Sequence, residues 1–253
     1  MNIVMRIIKM LIFIYIGFGL VLFFMQRDYM YFPSPKTSHS YPVEKFSNNG
    51  ELIEVIVLNK GSKDSIIYFG GNGETVVANA SSFKDTFADH TVYLVNYRGY
   101  GGSSGEPNEK ALYSDAHYIY DSIKDRHEHI SVIGRSLGTG VAIYLASTRI
   151  IKKMILITPY DSFQNVAQKK YPIYPMSLML MDKYNSTSRI KDINSDTLII
   201  LADHDQIIPR DSSNKLIKLF PVSQVTLEVI KETSHNTVSH NERYYSILEE
   251  FIN

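Results

Sequence analysis

A chain of 253 residues with 26 lysines and arginines against 26 aspartates and glutamates carries no formal net charge, which excludes a whole-chain electrostatic nucleic-acid binder. At 44% hydrophobic and 21% charged it is globular rather than disordered, and its length fits a single α/β unit of about 250 residues. The lack of cysteine excludes disulfides, thiolate metal sites and a cysteine nucleophile.

Residues 1–28 read as a membrane segment. Met10 to Met25 is sixteen residues without a charge, or about 24 Å of helix. Starting at Ile7 makes nineteen residues and about 28 Å, close to the roughly 30 Å hydrocarbon core, with the Lys9 ammonium snorkelling to the interface. A cleaved signal peptide would need small residues after the apolar core, and Leu22-Phe23-Phe24-Met25-Gln26 offers none. A buried core helix would need a polar face, which this run lacks. An uncleaved signal anchor fits best. Arg6, Lys9 and the α-amino group precede the span, whereas Arg27 is followed at once by Asp28. The positive-inside bias then puts the N-terminus in the cytoplasm and the body on the non-cytoplasmic side. Residues 29–42, with Pro33, Pro35 and Pro42 among polar residues, read as a linker to a domain at 43–253.

In the body, short β-rich runs alternate with longer amphipathic ones. Leu52 to Leu58 reads as a half-buried strand, and Ser65 to Phe69, Thr91 to Asn96, Ile130 to Ile133, Met154 to Ile157 and Thr197 to Leu201 as strands buried on both faces. Val225 to Ile230 reads as the last strand. Glu109 to Lys124, Ser136 to Thr148 and Asn241 to Phe251 read as helices. This order predicts an α/β fold, a mostly parallel central sheet with helices on both faces.

Ile133-Gly134-Arg135-Ser136-Leu137-Gly138 is a strand running into GxSxG and then a helix. In that setting the tight turn lifts the serine above the sheet, and the helix N-terminus behind it leaves amides free to meet a developing oxyanion. A serine hydroxyl needs an adjacent base held by an acid, in the chain order Ser, then Asp or Glu, then His. Asp203 and Asp205 follow one strand; His235 follows the last, with His240 further on. Each lies past a strand's C-terminal end, where parallel α/β sheets place their sites. No HExxH or comparable metal cluster is present, and the histidines are scattered.

With these pieces in view, the chain from Tyr31 onward resembles the α/β-hydrolase superfamily, serine-aminopeptidase-like branch, close to the single-pass membrane hydrolases of the bud-emergence type. The segments that carry the resemblance are Tyr31-Phe32-Pro33, Phe69-Gly70-Gly71-Asn72-Gly73, Asn96 to Ser103, Tyr113-Ser114-Asp115-Ala116, Gly134 to Gly138 and Asp205 to Pro209. The resemblance implies Ser136 as nucleophile, Asp205 as acid and His235 as base, with an oxyanion hole made by the backbone N–H groups of Leu137 and Asn72. The family places its acid after a glycine, where this chain has Ala202, and a histidine before the Gly-Asn pair, where it has Gly70. Asp203 and Asp161 remain alternatives for the acid and His240 for the base. Arg98, in an Arg-Gly-x-Gly turn, reads as a structural tie between loops, and His204 as a surface residue.

About forty residues separate the strand ending at Ile157 from the one starting at Thr197, which predicts a short lid at about 160–190. Its stretch Tyr171 to Tyr184 is rich in methionine, tyrosine and leucine and is suited either to wall an acyl pocket or to close the core. The expectation is a membrane-anchored serine hydrolase acting on a small-molecule ester, thioester or amide without a cofactor. The alternative is a silent hydrolase fold used for binding or scaffolding.

Overall fold

The computed structural model describes residues 3–253; Met1 and Asn2, with the α-amino group counted in the positive flank, lie outside the described residues. The described residues form an eight-stranded sheet in the order β1-β2-β4-β3-β5-β6-β7-β8. The strands are β1 (Val43–Asn48), β2 (Glu51–Leu58), β3 (Asp64–Phe69), β4 (His90–Val95), β5 (His129–Arg135), β6 (Lys153–Ile157), β7 (Asp196–His204) and β8 (Val225–Ser234). From β4 to β8 every pairing is parallel, while β2 runs antiparallel to both β1 and β4. The helices are α1 (Ile3–Phe24), α2 (Gln26–Met30), α3 (Ala80–Thr86), α4 (Glu109–Ile123), α5 (Leu137–Ala146), α6 (Phe163–Lys170), α7 (Met176–Met179), α8 (Arg210–Ile217) and α9 (Arg243–Ile252).

The continuous apolar runs are explained by cover on both sides. Along β7, Leu198, Ile200 and Ala202 join one core layer with Phe83 of α3 and with Tyr244, Leu248 and Ile252 of α9. Ile199 and Leu201 face the other layer, with Leu112 and Ile119 of α4, Val141 and Leu145 of α5, and Leu216 of α8. A strand with helices on both faces has no reason to alternate.

Strand β1 is absent from the sequence reading. It is an edge strand with only Phe46 and Asn48 buried. Its signal was the Asn49-Gly50 pair, which takes φ of 52° and 82° in the hairpin to β2, the conformation such dipeptides favour. Residues 29–42 also depart from the linker reading. Met30, Tyr31 and Ser34 are buried. The Tyr31 hydroxyl is 2.8 Å from that of Tyr184, the Phe32 N–H donates to Asn72 Oδ1 at 3.0 Å, and the Gly101 N–H donates to the Ser34 carbonyl at 2.9 Å. The prolines keep this segment extended, and its polar groups are met by loops at the C-terminal edge of the sheet rather than by water.

Arg98 is such a tie. Its Nε and Nη2 donate to the two oxygens of Asp115 at 2.6 and 2.7 Å, and Nη2 reaches the Asn48 carbonyl at 3.3 Å, joining the β4 loop to α4 and β1. Asp115 beside it raises the guanidinium pKa further, outweighing the opposing effect of burial. Arg98→Lys keeps the charge and loses the fork, so we expect a loss of about 1–3 kcal/mol in chemical denaturation followed by far-UV circular dichroism. Arg149→Lys, at the exposed pair with Asp121, is the comparison, and an equal loss there would refute the structural role.

Candidate active site

Strand β5 ends at Arg135 and α5 begins at Leu137, so Ser136 is the whole turn between them. It takes φ 49° and ψ −115°, a conformation costing a non-glycine residue about 1–3 kcal/mol. The flanking glycines make the turn possible. A Cβ on Gly138 would collide with the Phe69 carbonyl, and one on Gly134 would lie 2.5 Å from the Gly138 carbonyl oxygen. The Ser136 N–H is tied to the Ile157 carbonyl at 2.9 Å.

The structure brings Ser136, His235 and Asp205 together from the ends of three strands. His235 Nε2 lies 2.9 Å from Ser136 Oγ, and His235 Nδ1 lies 2.8 Å from Asp205 Oδ2. The His235 and Asp205 side chains are 8% and 10% exposed, which shields the contact from water. The other Asp205 oxygen accepts the N–H groups of Ile207 and Ile208, each at 2.8 Å, so the carboxylate is held from behind.

The alternatives lie elsewhere. Asp203 turns to Lys231 at 3.3 Å; desolvation pushes its carboxyl up, but the hydrogen bond and charge of Lys231, with His204 adding, outweigh it and hold the carboxyl below the usual range. Asp161 is buried against the Ser162 N–H, Asn165 and the Ser212 hydroxyl. His240 and His204 are exposed.

Two groups missed by the sequence reading hold this edge together. Glu74 Oε2 accepts the Gly71 N–H at 2.6 Å and lies 3.5 Å from Arg135 Nη1, while Oε1 accepts from the Tyr68 hydroxyl at 2.6 Å and from Asn79 at 2.5 Å. Arg135 also reaches the His235 carbonyl at 3.5 Å. Burial works against the Arg135 charge, but Glu74, Tyr68 and Tyr244 outweigh it and raise its pKa. Burial, with Glu74 adding to it, lifts the Tyr68 phenol well above its ordinary value and keeps it a donor.

Asn72 is fixed as firmly. Its Oδ1 accepts from the Phe32 N–H and the Tyr100 hydroxyl, at 3.0 and 2.7 Å, and its Nδ2 donates to the Met30 carbonyl at 2.7 Å. These bonds support the loop that has Gly70 where the resemblance expects histidine. The signal for Glu74 was only its place after the Gly-Asn-Gly turn. Among the described residues no three His, Asp or Glu side chains are grouped to hold a metal ion.

Beside the site runs a cleft of about 630 Å³. Its lining includes Asn72 and Ile207, Met176, Met179 and Leu180 of the lid, and Leu22 of α1, which packs with the lid residues. The lid methionines thus wall a cavity.

A family model described as the alpha/beta hydrolase fold matches residues 64–175. An uncharacterized protein of Mycobacterium tuberculosis is 34% identical over 131 residues, which cover 50% of this chain and 47% of that protein. An uncharacterized membrane protein of Saccharomyces cerevisiae is 29% identical over 172 residues, covering 64% of this chain and 60% of its relative. The chain therefore spans about half the length of the first of these relatives. Among solved structures, a Pyrococcus furiosus esterase superposes with a TM-score of 0.68 at 17% identity, over 87% of this chain and 97% of that one. Sheet order, elbow geometry and these likenesses agree, and the chain has the α/β-hydrolase fold.

Proposed function

We propose that the chain is a membrane-anchored serine hydrolase that cleaves an acyl ester, thioester or amide through an acyl-enzyme on Ser136. The observation that carries this reading is the unbroken relay from Ser136 Oγ to His235 Nε2 at 2.9 Å and from His235 Nδ1 to Asp205 Oδ2 at 2.8 Å. Similarity to an esterase structure points the same way.

In this mechanism Ser136 Oγ attacks the acyl carbon as His235 Nε2 takes the hydroxyl proton. Asp205, braced by the Ile207 and Ile208 amides, holds the tautomer that leaves Nε2 free and stabilises the imidazolium. The oxyanion falls to the backbone N–H groups of Leu137 and Asn72. Leu137 is the first residue of α5, so its amide has no acceptor a turn earlier. His235 then returns the proton to the leaving alcohol, thiol or amine. Water, deprotonated by the same imidazole, attacks the acyl-enzyme and releases the acid while Ser136 recovers its proton.

Anchoring rests on α1, a helix of 22 residues with none buried, or about 33 Å of rise. The named membrane protein among the relatives supports it. For orientation, Arg6 and Lys9 stand before the charge-free run, while Arg27 after it is paired with Asp182 at 3.1 Å. The uneven flanks favour a cytoplasmic N-terminus and a non-cytoplasmic body.

Ser136→Ala should abolish labelling by a fluorophosphonate probe and cut turnover by several orders of magnitude; persistent labelling would remove Ser136 from its role. Asp205→Asn should cost on the order of 10⁴-fold in kcat, with Asp203→Asn close to neutral, and a reversed ranking would move the acid. The full chain should stay with membranes through alkaline carbonate extraction, and an externally added protease should reach the body only from the non-cytoplasmic side. Release by carbonate would refute the anchor, and access from the cytoplasmic side would reverse the orientation.

A further inference from the structure

The lid does not stand clear of α1; it is fastened along that helix. The Tyr15 and Tyr174 rings stack with centroids 4.6 Å apart and planes within 6°. The Tyr15 hydroxyl donates to the Ile173 carbonyl at 2.8 Å, and the Tyr174 hydroxyl donates to the Tyr15 carbonyl at 2.9 Å. Just past α1, at the start of α2, Gln26 accepts the Met181 N–H at 2.7 Å and donates to the Met179 carbonyl at 3.2 Å. Tyr15 lies about 13 Å along the axis before Phe24, well inside a hydrocarbon core of roughly 30 Å. If α1 spans, the lid enters the bilayer with it.

The chemistry of the segment suits that depth. Tyr171 to Met181 contains no charged residue, with Lys169 and Lys170 before it and Asp182 and Lys183 after. Its most exposed apolar side chains are Ile173 at 69%, Leu178 at 81% and Met181 at 51%.

A bilayer tolerates irregular backbone only where the polar groups are satisfied within the protein. Here Gln168 Nε2 donates to the carbonyls of Tyr171, Pro172 and Tyr174, at 3.4, 3.3 and 2.9 Å. Its Oε1 accepts the Met176 N–H at 3.0 Å. Tyr15 takes the Ile173 carbonyl, and Pro172 and Pro175 have no N–H to satisfy.

We propose that residues 171–181 lie within the membrane beside α1, and that the cleft they wall opens to the lipid phase. Ser136 would then act on acyl chains delivered sideways from the bilayer. The proposal rests on the anchored-hydrolase reading and adds the substrate class, a membrane-resident acyl ester or thioester. The cleft has the needed connection. Its lining joins Leu22 of α1 and Met176, Met179 and Leu180 of the lid to Asn72 and Ile207, neighbours of the proposed site.

A cysteine-free chain permits a direct test. Full-length protein carrying Leu178→Cys, labelled with an environment-sensitive fluorophore, is reconstituted into phosphatidylcholine–phosphatidylglycerol vesicles. Nitroxides placed mid-way along the lipid chains should quench this label strongly and aqueous iodide weakly. Ile150→Cys, 88% exposed and just before the N-terminal end of β6, the end away from the proposed site, should show the reverse. Equal iodide quenching at both positions would overturn the immersion of the lid.

For the substrate, Ile173→Lys combined with Leu178→Lys changes residues outside the lining of the cleft. Turnover of soluble p-nitrophenyl acetate should hold, while that of p-nitrophenyl palmitate in vesicles should fall about tenfold or more. Unchanged turnover of both esters, or equal losses on both, would overturn lateral delivery. Failure of the unsubstituted protein to hydrolyse either ester would count against the serine-hydrolase reading alone, with quenching still deciding where the lid lies.

Discussion

One buried ion pair organises the active edge. Glu74 and Arg135, with side chains only 12% and 14% exposed, belong to different crossings of the sheet, and each is tied to backbone that the site needs in place. Glu74 holds the Gly71 amide, so it sets the course of the loop after β3. Arg135 is the residue before Ser136 and touches the carbonyl of His235. Such a pair adds little net stability over an apolar substitute, yet removing one partner strands the other charge at a cost of about 3–5 kcal/mol. Its worth is geometric: the loop, the elbow and the histidine cannot shift independently.

Much of the scaffold was legible because burial on both faces writes itself as short runs without polar alternation, as in Thr197 to Leu201. Strand β1 was not, because only one side of an edge strand needs apolar residues, and Glu44, Lys45 and Ser47 hide it. The site shows the same division. GxSxG between a strand and a helix, followed in order by acids and a histidine, was readable as a pattern. Asp203 against Asp205 was not decidable from the residues alone, since positions two apart on a strand share a face and periodicity cannot separate them. Pairing between β7 and β8 shifts register between Ala202 and His204, and that local irregularity has no signature in composition. The Glu74–Arg135 contact was illegible for a different reason, because 61 positions of chain separate its partners and only the sheet order brings them near.

Residues 29–42 show how composition can mislead. Three prolines among serines and threonines look like a tether, but proline also supplies a backbone already set in an extended form, with fewer donors to satisfy. Two aromatic residues decide the outcome. Tyr31 is sunk among Tyr184 and Asp182, and Tyr100 meets both the Phe32 amide and the Asn72 side chain. The segment therefore serves as a strap across the loops that position the site, and Asn72 is its buckle.

The stacked tyrosines bear on the order in which the chain is made. Tyr15 and Tyr174 are hydrogen-bonded across 159 positions, so the helix leaves the ribosome long before its partner exists. At roughly 5–20 residues per second, the interval is on the order of ten seconds. During that time the sheet can begin to assemble while the wall of the cleft is still unsynthesised. The cavity is finished only when residues from both ends of this interval meet at the helix. A molecule cut between α1 and the body would retain Ser136, His235 and Asp205 but lose Tyr15 from the lid's fastening and Leu22 from the cleft, making shedding a change in what the cleft can hold and not merely in where the protein resides.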